Sequence, residues 1–469
     1  HERAPPGGST AVRAPQRRRL GRRLLKLVGL GHRHGAWAQA DRPGLGPALP
    51  QPPEDRFGGF VGQAGGYVGI DGECFFNIGH GLDDGAWLLR RGGRVEVRQP
   101  LADLVIRVDQ SGATAGSVAS LNAALLQWQS AGQPNTLIAI QDSRTYEEAL
   151  AIAPADGRWL MIEAVDGARP HLLLTSPLGI SGDNPGASVT LSGLLIEGWV
   201  HVSGSLGRLR LLHSTLVPGR SLTADGLPAA AAPSILVAGG TAGAPLNTRL
   251  RVEVAFSITG PLHIPAHADG LWVLDSIVEG VADPVTMVRT AAISGPTGPS
   301  GPACWLERAT LLGPAFIKEL PMASEVIFTA PVLCERRQEG CVRFSFVPKD
   351  SITPHRYRCQ PDLEIAVHIE QVAKDAEAHG TTLTQAQRDA IRQQVQKWLV
   401  PTFTSTRYGQ PSYAQLHLAC PRHIQTGAED GSEMGVFCHL KQPQREANLR
   451  LRLEEYLPFG LDPGLIYVT

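Results

Sequence analysis

"LRVEVAFSITGPLHIPAHADGLWVLDSIVEG", residues 250–280, contains one short pattern twice. In each copy an apolar run ends near a serine, an isoleucine follows, and after one or two further residues comes a glycine, as in Ser257-Ile258 and Ser276-Ile277. Alternating apolar residues are typical of a strand with one buried face. The copies are 19 residues apart, so each unit is too short to bury its apolar face alone. The pattern therefore predicts a stack of similar β units.

The same element recurs on both sides of this stretch. Its aliphatic position aligns at Ile196, Leu216, Ile258, Ile277, Leu311 and Ile327. The steps are 20, 42, 19, 34 and 16 residues, and the longer ones contain the strand "PSILVAG" and the insert "SGPTGPSGPA". A unit near 20 residues with loops of variable length favours a parallel β-helix. An antiparallel sandwich would place Asn-Gly or Asp-Gly turns between paired strands, and the Asp-Gly dipeptides are not regularly spaced.

The segment "GSVASLNAALLQWQSAG", residues 116–132, predicts a helix before the first repeats. Ser117 or Ser120 can cap its start, and Gly132 can end it. Leu121, Leu125 and Trp128 fall on one face of this helix. Since a solenoid has an open apolar end, we predict that this helix covers the N-terminal one.

These patterns divide the chain into four parts. Residues 1–50 hold ten lysines and arginines against two acidic residues, which predicts a basic, disordered tail. Residues 51–115 form a small Gly-rich β segment, 116–333 the helix and the β-helix, and 334–469 a C-terminal capping module with helices. The predicted fold is mainly β: a right-handed parallel β-helix of the pectin-lyase-like type with an N-terminal capping helix and a C-terminal α/β module.

The C-terminal part contains three helical patterns and ends in the strand-like "GLIYVT". In the second helix, capped by Thr384, Trp398 aligns with Ile391 and Val395, which predicts that the indole is buried. On that basis Trp398→Ala would cost about 3–5 kcal/mol. In the third helix, Leu449, Leu453 and Tyr456 form one apolar stripe.

Composition excludes several classes of protein. The formal net charge is −1, which gives no general attraction to nucleic acid or an anionic membrane. No apolar run approaches the roughly 18 residues that span a bilayer. The seven cysteines are scattered without a C-x-x-C pair, which indicates free thiols, no bound zinc and a cytoplasmic chain, whether or not it is later released within a particle.

No catalytic constellation stands out. Carbohydrate hydrolysis needs two carboxylates about 5–9 Å apart, and the candidates Glu253, Asp275 and Glu279 are interpreted as solvated strand ends. "GHG" at 79–81 precedes the first repeat. The five histidines of interest have no second ligand at metal spacing: His201, His213, His263, His267 and His355. We therefore predict no catalytic, cofactor-binding or metal-binding residue, no cofactor and no enzymatic activity.

The stretch "RRQEGCVRFSFVPKDSITPHRYRCQPDL", residues 336–363, leaves several alternatives open. Cys341 and Cys359 could form a disulfide, or bind zinc with Cys334 and His355. Its aromatic residues, interleaved with arginines, could stack on nucleic-acid bases: Phe344, Phe346 and Tyr357. The favoured interpretation is structural: the aromatic residues cover the C-terminal end of the solenoid. The arginines then pair with nearby carboxylates: Glu429, Asp430 and Glu433.

Four segments carry a resemblance: "HSTLVPG", the stretch 336–363, "PTFTSTRYGQPSYAQLHLACP", and the chain from "GAEDGSEMGVFCHLKQ" to its last residue. Together they resemble a family of uncharacterised bacterial β-helix proteins associated with phage-tail-like contractile injection systems. The resemblance covers about residues 110–469, and the basic N-terminal tail departs from it. It implies no catalytic residue.

The resemblance implies a non-enzymatic structural or adhesion component of a phage-tail-like particle. Its partners would be other proteins of that assembly, with surface carbohydrate as a further possibility and no nucleic acid. The alternative is a carbohydrate-active or carbohydrate-binding β-helix protein of the polysaccharide lyase or hydrolase kind, which would use a groove along one face of the solenoid.

Overall fold

A computed structural model of the chain describes residues 102–283 and 288–457, together with the backbone of four short strands between residues 68 and 98. The predicted tail 1–50 and the terminal "GLIYVT" lie outside the described residues. The described residues form 32 strands and five α-helices. None of these helices is long and apolar enough to cross a membrane.

The first half of the strands, numbered in chain order, runs to residue 216. They are β1 (Val68–Ile70), β2 (Glu73–Phe75), β3 (Trp87–Arg91), β4 (Arg94–Arg98), β5 (Leu104–Val108), β6 (Thr136–Ile140), β7 (Thr145–Glu148), β8 (Ala151–Ile152), β9 (Trp159–Ala164), β10 (His171–Leu174), β11 (Leu178–Ile180), β12 (Asp183–Ser192), β13 (Leu195–Glu197), β14 (Val200–Val202), β15 (Ser205–Leu212) and β16 (Thr215–Leu216).

The second half continues to residue 357. These strands are β17 (Ile235–Val237), β18 (Gly240–Thr241), β19 (Ala244–Pro245), β20 (Arg251–Ala255), β21 (Ile258–Thr259), β22 (Leu262–His263), β23 (Gly270–Leu274), β24 (Ile277–Glu279), β25 (Ile293–Ser294), β26 (Gly301–Glu307), β27 (Thr310–Leu312), β28 (Ala315–Ser324), β29 (Ile327–Phe328), β30 (Val332–Arg336), β31 (Cys341–Arg343) and β32 (His355–Tyr357). The helices are α1 (Leu121–Ser130), α2 (Asp362–Ala378), α3 (Gln385–Trp398), α4 (Arg422–Gln425) and α5 (Gln442–Tyr456).

Two long sheets dominate the molecule, one of 18 strands (the large sheet) and one of eight (the small sheet). Neighbouring strands in both sheets are parallel and come from successive repeats, as β21 with β24 and β20 with β23. One apolar cluster, which we call the interior cluster, receives side chains from both sheets. The mainly β class and the parallel pairing are therefore confirmed, and the arrangement is β-solenoid-like.

The predicted alignment of repeats is wrong by one residue at three of its five steps. Thr215 pairs with Ile258, Ile277 with Thr310, and Thr310 with Ile327. A shift of one residue moves a side chain to the opposite face of a strand. The small-sheet residues that join the interior cluster are Tyr146, Leu172, Ile196, Leu216, Val278, Leu311 and Phe328. Ile277 and Ile327 instead lie on the outer face of the small sheet, where the C-terminal module buries them.

The serine of the repeat forms a buried ladder at one corner. It follows a residue with positive φ, Phe256 (φ 49) or Asp275 (φ 45). The Ser257 hydroxyl donates to the Ala255 carbonyl at 2.8 Å and accepts from the Ser214 N–H at 3.2 Å. Ser276 repeats this, accepting from the Ser257 N–H at 3.0 Å. Each hydroxyl thus satisfies backbone groups of its own repeat and of the preceding one, which explains the recurring serine.

Helix α1 confirms the predicted helix in segment 116–132 and its predicted apolar face. Ser120, rather than Ser117, is the N-cap, and its hydroxyl accepts from the Ala123 N–H at 3.1 Å. The face containing Leu121, Leu125 and Trp128 is buried in the interior cluster. The carboxylate of Glu148 accepts from the N–H groups of Leu121 and Asn122 in the first turn, where a negative charge stabilises a helix.

Residues 336–363 supply further strands of the large sheet. Parallel pairing continues from β28 to β31 and from β31 to β32, past the predicted boundary at 333. Arg356 lies in register with Val342, which belongs to the interior cluster. Its guanidinium donates to Asp362 Oδ2, Thr353 Oγ1 and the Ser351 carbonyl, each at 2.9 Å. The row of interior side chains that runs through Val342 from strand to strand of the large sheet therefore ends at an arginine.

Contrary to the prediction, the aromatic residues of this stretch do not cover the end of the solenoid. Tyr357 is half exposed and contacts Phe344 edge-on. Phe346 is buried beside Ile327 against the helices of the C-terminal module. Arg356 is the residue of β32 in register with the interior residue Val342. Because strand residues alternate between two faces, its neighbour Tyr357 faces away from the interior.

The predicted burial of Trp398 is wrong. Its side chain is 41% exposed, whereas Val395 and Leu399 are buried. Leu399, the next residue, takes the inward position, and the indole contacts the His423 ring edge-on. The cost of 3–5 kcal/mol expected for Trp398→Ala rested on full burial and no longer applies.

Candidate functional site

The C-terminal module docks on the outer face of the small sheet. We call this contact the docking seam. It joins outer-face residues of β24, β27 and β29 to segments 402–416 and 424–440. Its apolar residues include Ile277, Leu312, Ile327, Tyr413, Ala414, Ile424, Met434 and Val436. The predicted cap therefore covers a lateral face of the repeats.

Gly435 marks the closest approach within the docking seam. Its N–H donates to the Glu325 carbonyl at 2.7 Å, and the Val436 N–H donates to Thr310 Oγ1 at 3.1 Å. A Cβ atom on Gly435 would lie 2.7 Å from Thr310 Oγ1 and 2.8 Å from Ile327 Cδ1. Its φ of +88° is also unfavourable for other residues. Glycine is therefore required here.

A buried ion cluster lies at the edge of the docking seam. Asp275, Arg308 and Glu325 occupy the same positive-φ corner in successive repeats. Arg308 Nε donates to Asp275 Oδ1 at 2.8 Å, and Arg308 Nη1 contacts Glu307 and lies 3.9 Å from Glu325 Oε2. His439 Nδ1 lies 3.7 Å from Asp275 Oδ1. The cluster thus connects three repeats and the C-terminal module.

Three of the groups near this cluster have the spacing of metal ligands. Within the described residues, the ligand atoms of Glu325, Asp430 and Cys438 lie within 4.8 Å of one another. Burial, then the charge of Glu325, raises the pKa of the Cys438 thiol well above its ordinary value. Metals bind the thiolate form of cysteine. The two carboxylates also have cations beside them: Arg308 lies near Glu325, and Lys441 Nζ lies 3.5 Å from Asp430. The geometry suits an ion-paired contact better than a metal centre.

A second polar cluster lies farther along the docking seam. The Tyr413 hydroxyl donates to Glu279 Oε2. Arg289 Nη1 donates to Glu279 Oε1 at 2.7 Å, and Arg289 Nη2 donates to the Thr406 carbonyl at 2.9 Å. Burial and the charge of Glu279 raise the pKa of Tyr413, so its hydroxyl remains a donor. Glu279 is therefore held by two partners instead of being available as an acid or base.

The three carboxylates considered for hydrolysis are buried, so their interpretation as solvated strand ends is wrong. Glu253 contacts Arg208 and Arg210 at 3.4 and 2.7 Å. Asp275 and Glu279 have the arginine partners described above. Each guanidinium comes from another repeat or, for Arg289, from the loop that follows the strand, which explains why strand position alone did not reveal the pairing. Buried carboxylates are retained when paired in this way.

Two tryptophans form a stack on the outer face of the large sheet. The rings of Trp272 and Trp305 are parallel within 5°, with centroids 4.3 Å apart. The Arg251 guanidinium lies 5.0 Å from the centroid of Trp272. A sugar that stacks on an aromatic residue needs an open ring face, and both faces of Trp272 are in contact with neighbours. This stack stabilises adjacent repeats.

A groove of about 530 Å³ lies between the small sheet and segment 400–406. Its lining is mostly apolar: Val288, Leu312, Gly313, Pro314, Ala330, Phe346, Pro348, Val400, Pro401 and Phe403, with Arg289, Thr329 and Thr406. Arg289, the charged residue of this lining, already bonds Glu279, Gly280 and Thr406. The groove offers apolar contact without a cluster of polar groups that could orient a reacting ligand.

The remaining candidates are dispersed. The metal-spaced group contains none of the five histidines: His213 stacks on Phe256, and His267 contacts the Leu246 carbonyl. The six cysteines whose side chains the structure describes are free, whereas only the backbone of Cys74 in β2 is described and "GHG" at 79–81 lies outside the described residues. Burial raises the pKa of Cys334 to about 12 and of Cys359 to about 11, so both remain thiols.

The arginine pairing predicted for stretch 336–363 is found in part. Arg343 Nη1 lies 3.7 Å from Glu429 Oε2, whereas Asp430 contacts Lys441. Glu433 is 8% exposed, and none of the described ion pairs includes it. Burial raises the pKa of its carboxyl group from 4.5 to about 7. This residue precedes Met434 and Gly435, at the center of the docking seam.

Glu433 is expected to make stability depend on pH. Its pKa is higher in the folded than in the unfolded chain, so the folded state binds the extra proton between pH 4.5 and about 7. Unfolding free energy then falls as pH rises through this window. Glu433→Gln should therefore be more stable than the parent above pH 7, by roughly 3 kcal/mol, and equal to it below pH 4.5.

Urea unfolding of both proteins across this pH range measures the difference. Glu429→Gln is the matched control, because Glu429 is a more exposed neighbour and its difference from the parent should stay small and nearly constant. An equal pH dependence of the parent and Glu433→Gln would contradict the prediction.

The geometry defines a class of protein: parallel β repeats with a helical module docked laterally on the small sheet. Comparison of the chain with family models, curated proteins and solved structures found no match.

Proposed function

We propose that the protein is a non-enzymatic structural or adhesion component of a phage-tail-like, contractile-injection particle. Its repeats close into a right-handed parallel β-helix of the pectin-lyase-like type, and the chain is cytoplasmic before assembly. The class of particle rests on the resemblance of segments between residues 110 and 469. Its partners are other proteins of the assembly, and surface carbohydrate is a possible target for adhesion.

One observation carries the non-enzymatic part of the proposal. The buried carboxylates closest to a catalytic arrangement are bound to guanidinium groups, as with Glu253, Asp275 and Glu279. Two of these pairs join the docking seam. Side chains that could transfer protons are thus used to hold repeats and module together, as expected for a scaffold.

A second candidate is a carbohydrate-active protein, and one polar row favours it. Thr145, His171 and Glu197 lie on the outer face of the small sheet, where Thr145 is exposed and the other two are partly buried. His171 Nε2 is 3.4 Å from Glu197 Oε1, and His171 Nδ1 is 3.2 Å from Thr145 Oγ1. A glycan-cleaving site would need a second carboxylate close to Glu197.

The two candidates differ in a direct assay. The full chain, incubated with a panel of polysaccharides, is expected to yield no new reducing ends and no unsaturated products. Product formed reproducibly by the purified chain would overturn the non-enzymatic proposal, and its loss in Glu197→Gln would place the site at this polar row. For the assembly, the full chain should co-sediment with purified phage-tail-like particles encoded beside it. A gene neighbourhood without sheath, tube or baseplate genes would contradict this part.

A further inference from the structure

Helix α5 exposes its apolar residues to solvent. Among its described side chains none is buried, and Leu449 and Tyr456 are 48% and 79% exposed. The helix is joined to the preceding loop by Gln444, whose Nε2 donates to the Asp430 carbonyl at 3.0 Å. Its own ion pairs are exposed and include Arg450 with Glu446 at 2.7 Å and Arg452 with Glu455 at 3.6 Å, and such pairs stabilise a helix locally. Docking on the described parts of the chain therefore does not account for its apolar residues.

The apolar residues of α5 have the spacing of a helix-pairing seam. Residues 449, 453 and 456 follow steps of four and three, as the d, a and d positions of a heptad do, and the preceding a position holds Glu446. Leu449, Leu453 and Tyr456 form this stripe. Flanking e and g positions hold arginine: Arg445, Arg450 and Arg452. We call these residues together the α5 stripe.

The charges beside the α5 stripe indicate which kind of partner can bind it. Two copies of α5 would bring arginine edges together in either orientation, and like charges at these positions oppose pairing. The sequence of α5 holds three arginines and three glutamates. It therefore has no net positive charge to attract it to an anionic membrane. A helix with leucines at its core positions and acidic residues on its edges complements both features.

We propose that the α5 stripe is a binding surface for an acidic amphipathic helix of a partner protein. Leu449, Leu453 and Tyr456 pack against the apolar face of that helix. Arg445 and Arg452 lie opposite its acidic edges and fix its register. The inference rests on the proposed function, since it identifies where a neighbouring protein of the assembly binds.

Two synthetic peptides of three heptads test the charge requirement. Both have leucine at a and d, one has glutamate at e and g, and the other has lysine there. Like-charged edges keep each peptide from pairing with itself. Fluorescence anisotropy with the full chain at low salt should show the glutamate peptide binding about tenfold more tightly or better, because attractive pairs replace repulsive ones.

Variants of α5 separate the contributions. The double substitution Arg445→Glu and Arg452→Glu should reverse the preference in favour of the lysine peptide. Leu449→Asp should abolish binding of the glutamate peptide. Leu451→Asp is the matched control, because Leu451 is exposed on the opposite side of α5 and should leave binding unchanged. Thermal unfolding should not distinguish the two leucine variants, since neither residue is buried.

Several outcomes would overturn the proposal. The two peptides could bind equally or not at all, or Leu449→Asp and Leu451→Asp could weaken peptide binding equally. Sedimentation velocity could show a dimer of the chain that Leu449→Asp dissociates. The chain could also bind vesicles of phosphatidylserine and phosphatidylcholine in a way that depends on Leu449. If the peptides fail while the chain still co-sediments with particles, the surface is wrong and the assembly role stands. Peptide binding without co-sedimentation would refute the assembly role alone.

Discussion

A chain that ends at Pro361 is expected to self-associate, although it retains every strand of the large and small sheets. The cut removes residues 362–469, including helices α2 to α5, and uncovers residues that are now buried on the outer face of the small sheet or beside it: Ile277, Leu312, Ile327 and Phe346. Burying one such side chain contributes roughly 1.5–3 kcal/mol. A contiguous exposed patch of this kind promotes association.

Size-exclusion chromatography with light scattering, together with circular dichroism, measures the effect. The shortened chain should elute as species larger than the full chain while keeping a β spectrum. A point variant tests the same contact with the module present: Val436→Asp places a charge in the docking seam, and Leu418→Asp makes the same change at an exposed position. We expect association in the first variant only. A shortened chain that elutes as a single monomer would show that the module is merely tethered to the repeats.

Replacement of Arg308 by alanine is expected to lower the free energy of unfolding by about 3–5 kcal/mol. The substitution leaves the carboxylate of Asp275, whose side chain is fully buried, without the guanidinium that now contacts it. It also removes the cation beside Glu307 and Glu325. A buried charge without its counterion costs several kcal/mol, because the protein interior solvates it poorly.

Urea denaturation at neutral pH measures this loss, with two comparisons. Arg336→Ala breaks an exposed pair with Glu319 and should cost less than about 1 kcal/mol. The double variant Asp275→Asn and Arg308→Met removes both charges at once and should recover much of the loss. Equal stability of Arg308→Ala and Arg336→Ala would mean that the cluster is solvated and does not hold the docking seam together.

The sequence was sufficient for features that depend on residues close together in the chain. A serine cap, at Ser117 or Ser120, and the apolar face of α1 follow from spacings of three and four residues, and the structure selects Ser120. The repeat near 20 residues follows from recurring Ser-Ile and Gly. The stripe of Leu449, Leu453 and Tyr456 was also correct as a helical face. In each case the controlling interaction is local, so its signal is present in a short window.

The sequence could not determine the phase of the strands. Ile258 and Thr259 both belong to a short apolar run, and period two permits either to face inward. The structure shows that outer-face residues such as Ile277 and Ile327 are apolar as well, because the C-terminal module covers them. With both faces apolar, alternation no longer distinguishes inside from outside, and the alignment slipped by one residue.

By itself the sequence determined a mainly β chain of short parallel-type repeats with an amphipathic helix before them. Tertiary structure alone decided that Arg356 ends the interior row, that the C-terminal module lies along the small sheet, and that Arg308 binds Asp275 across one repeat. Arg308 was not singled out from the sequence, although a charged residue at this corner of three successive repeats was a detectable signal. The physical reason is the separation along the chain between the interacting residues. Ion pairs and docking contacts depend on which distant segments meet, and side-chain spacing within one strand carries no information about that meeting.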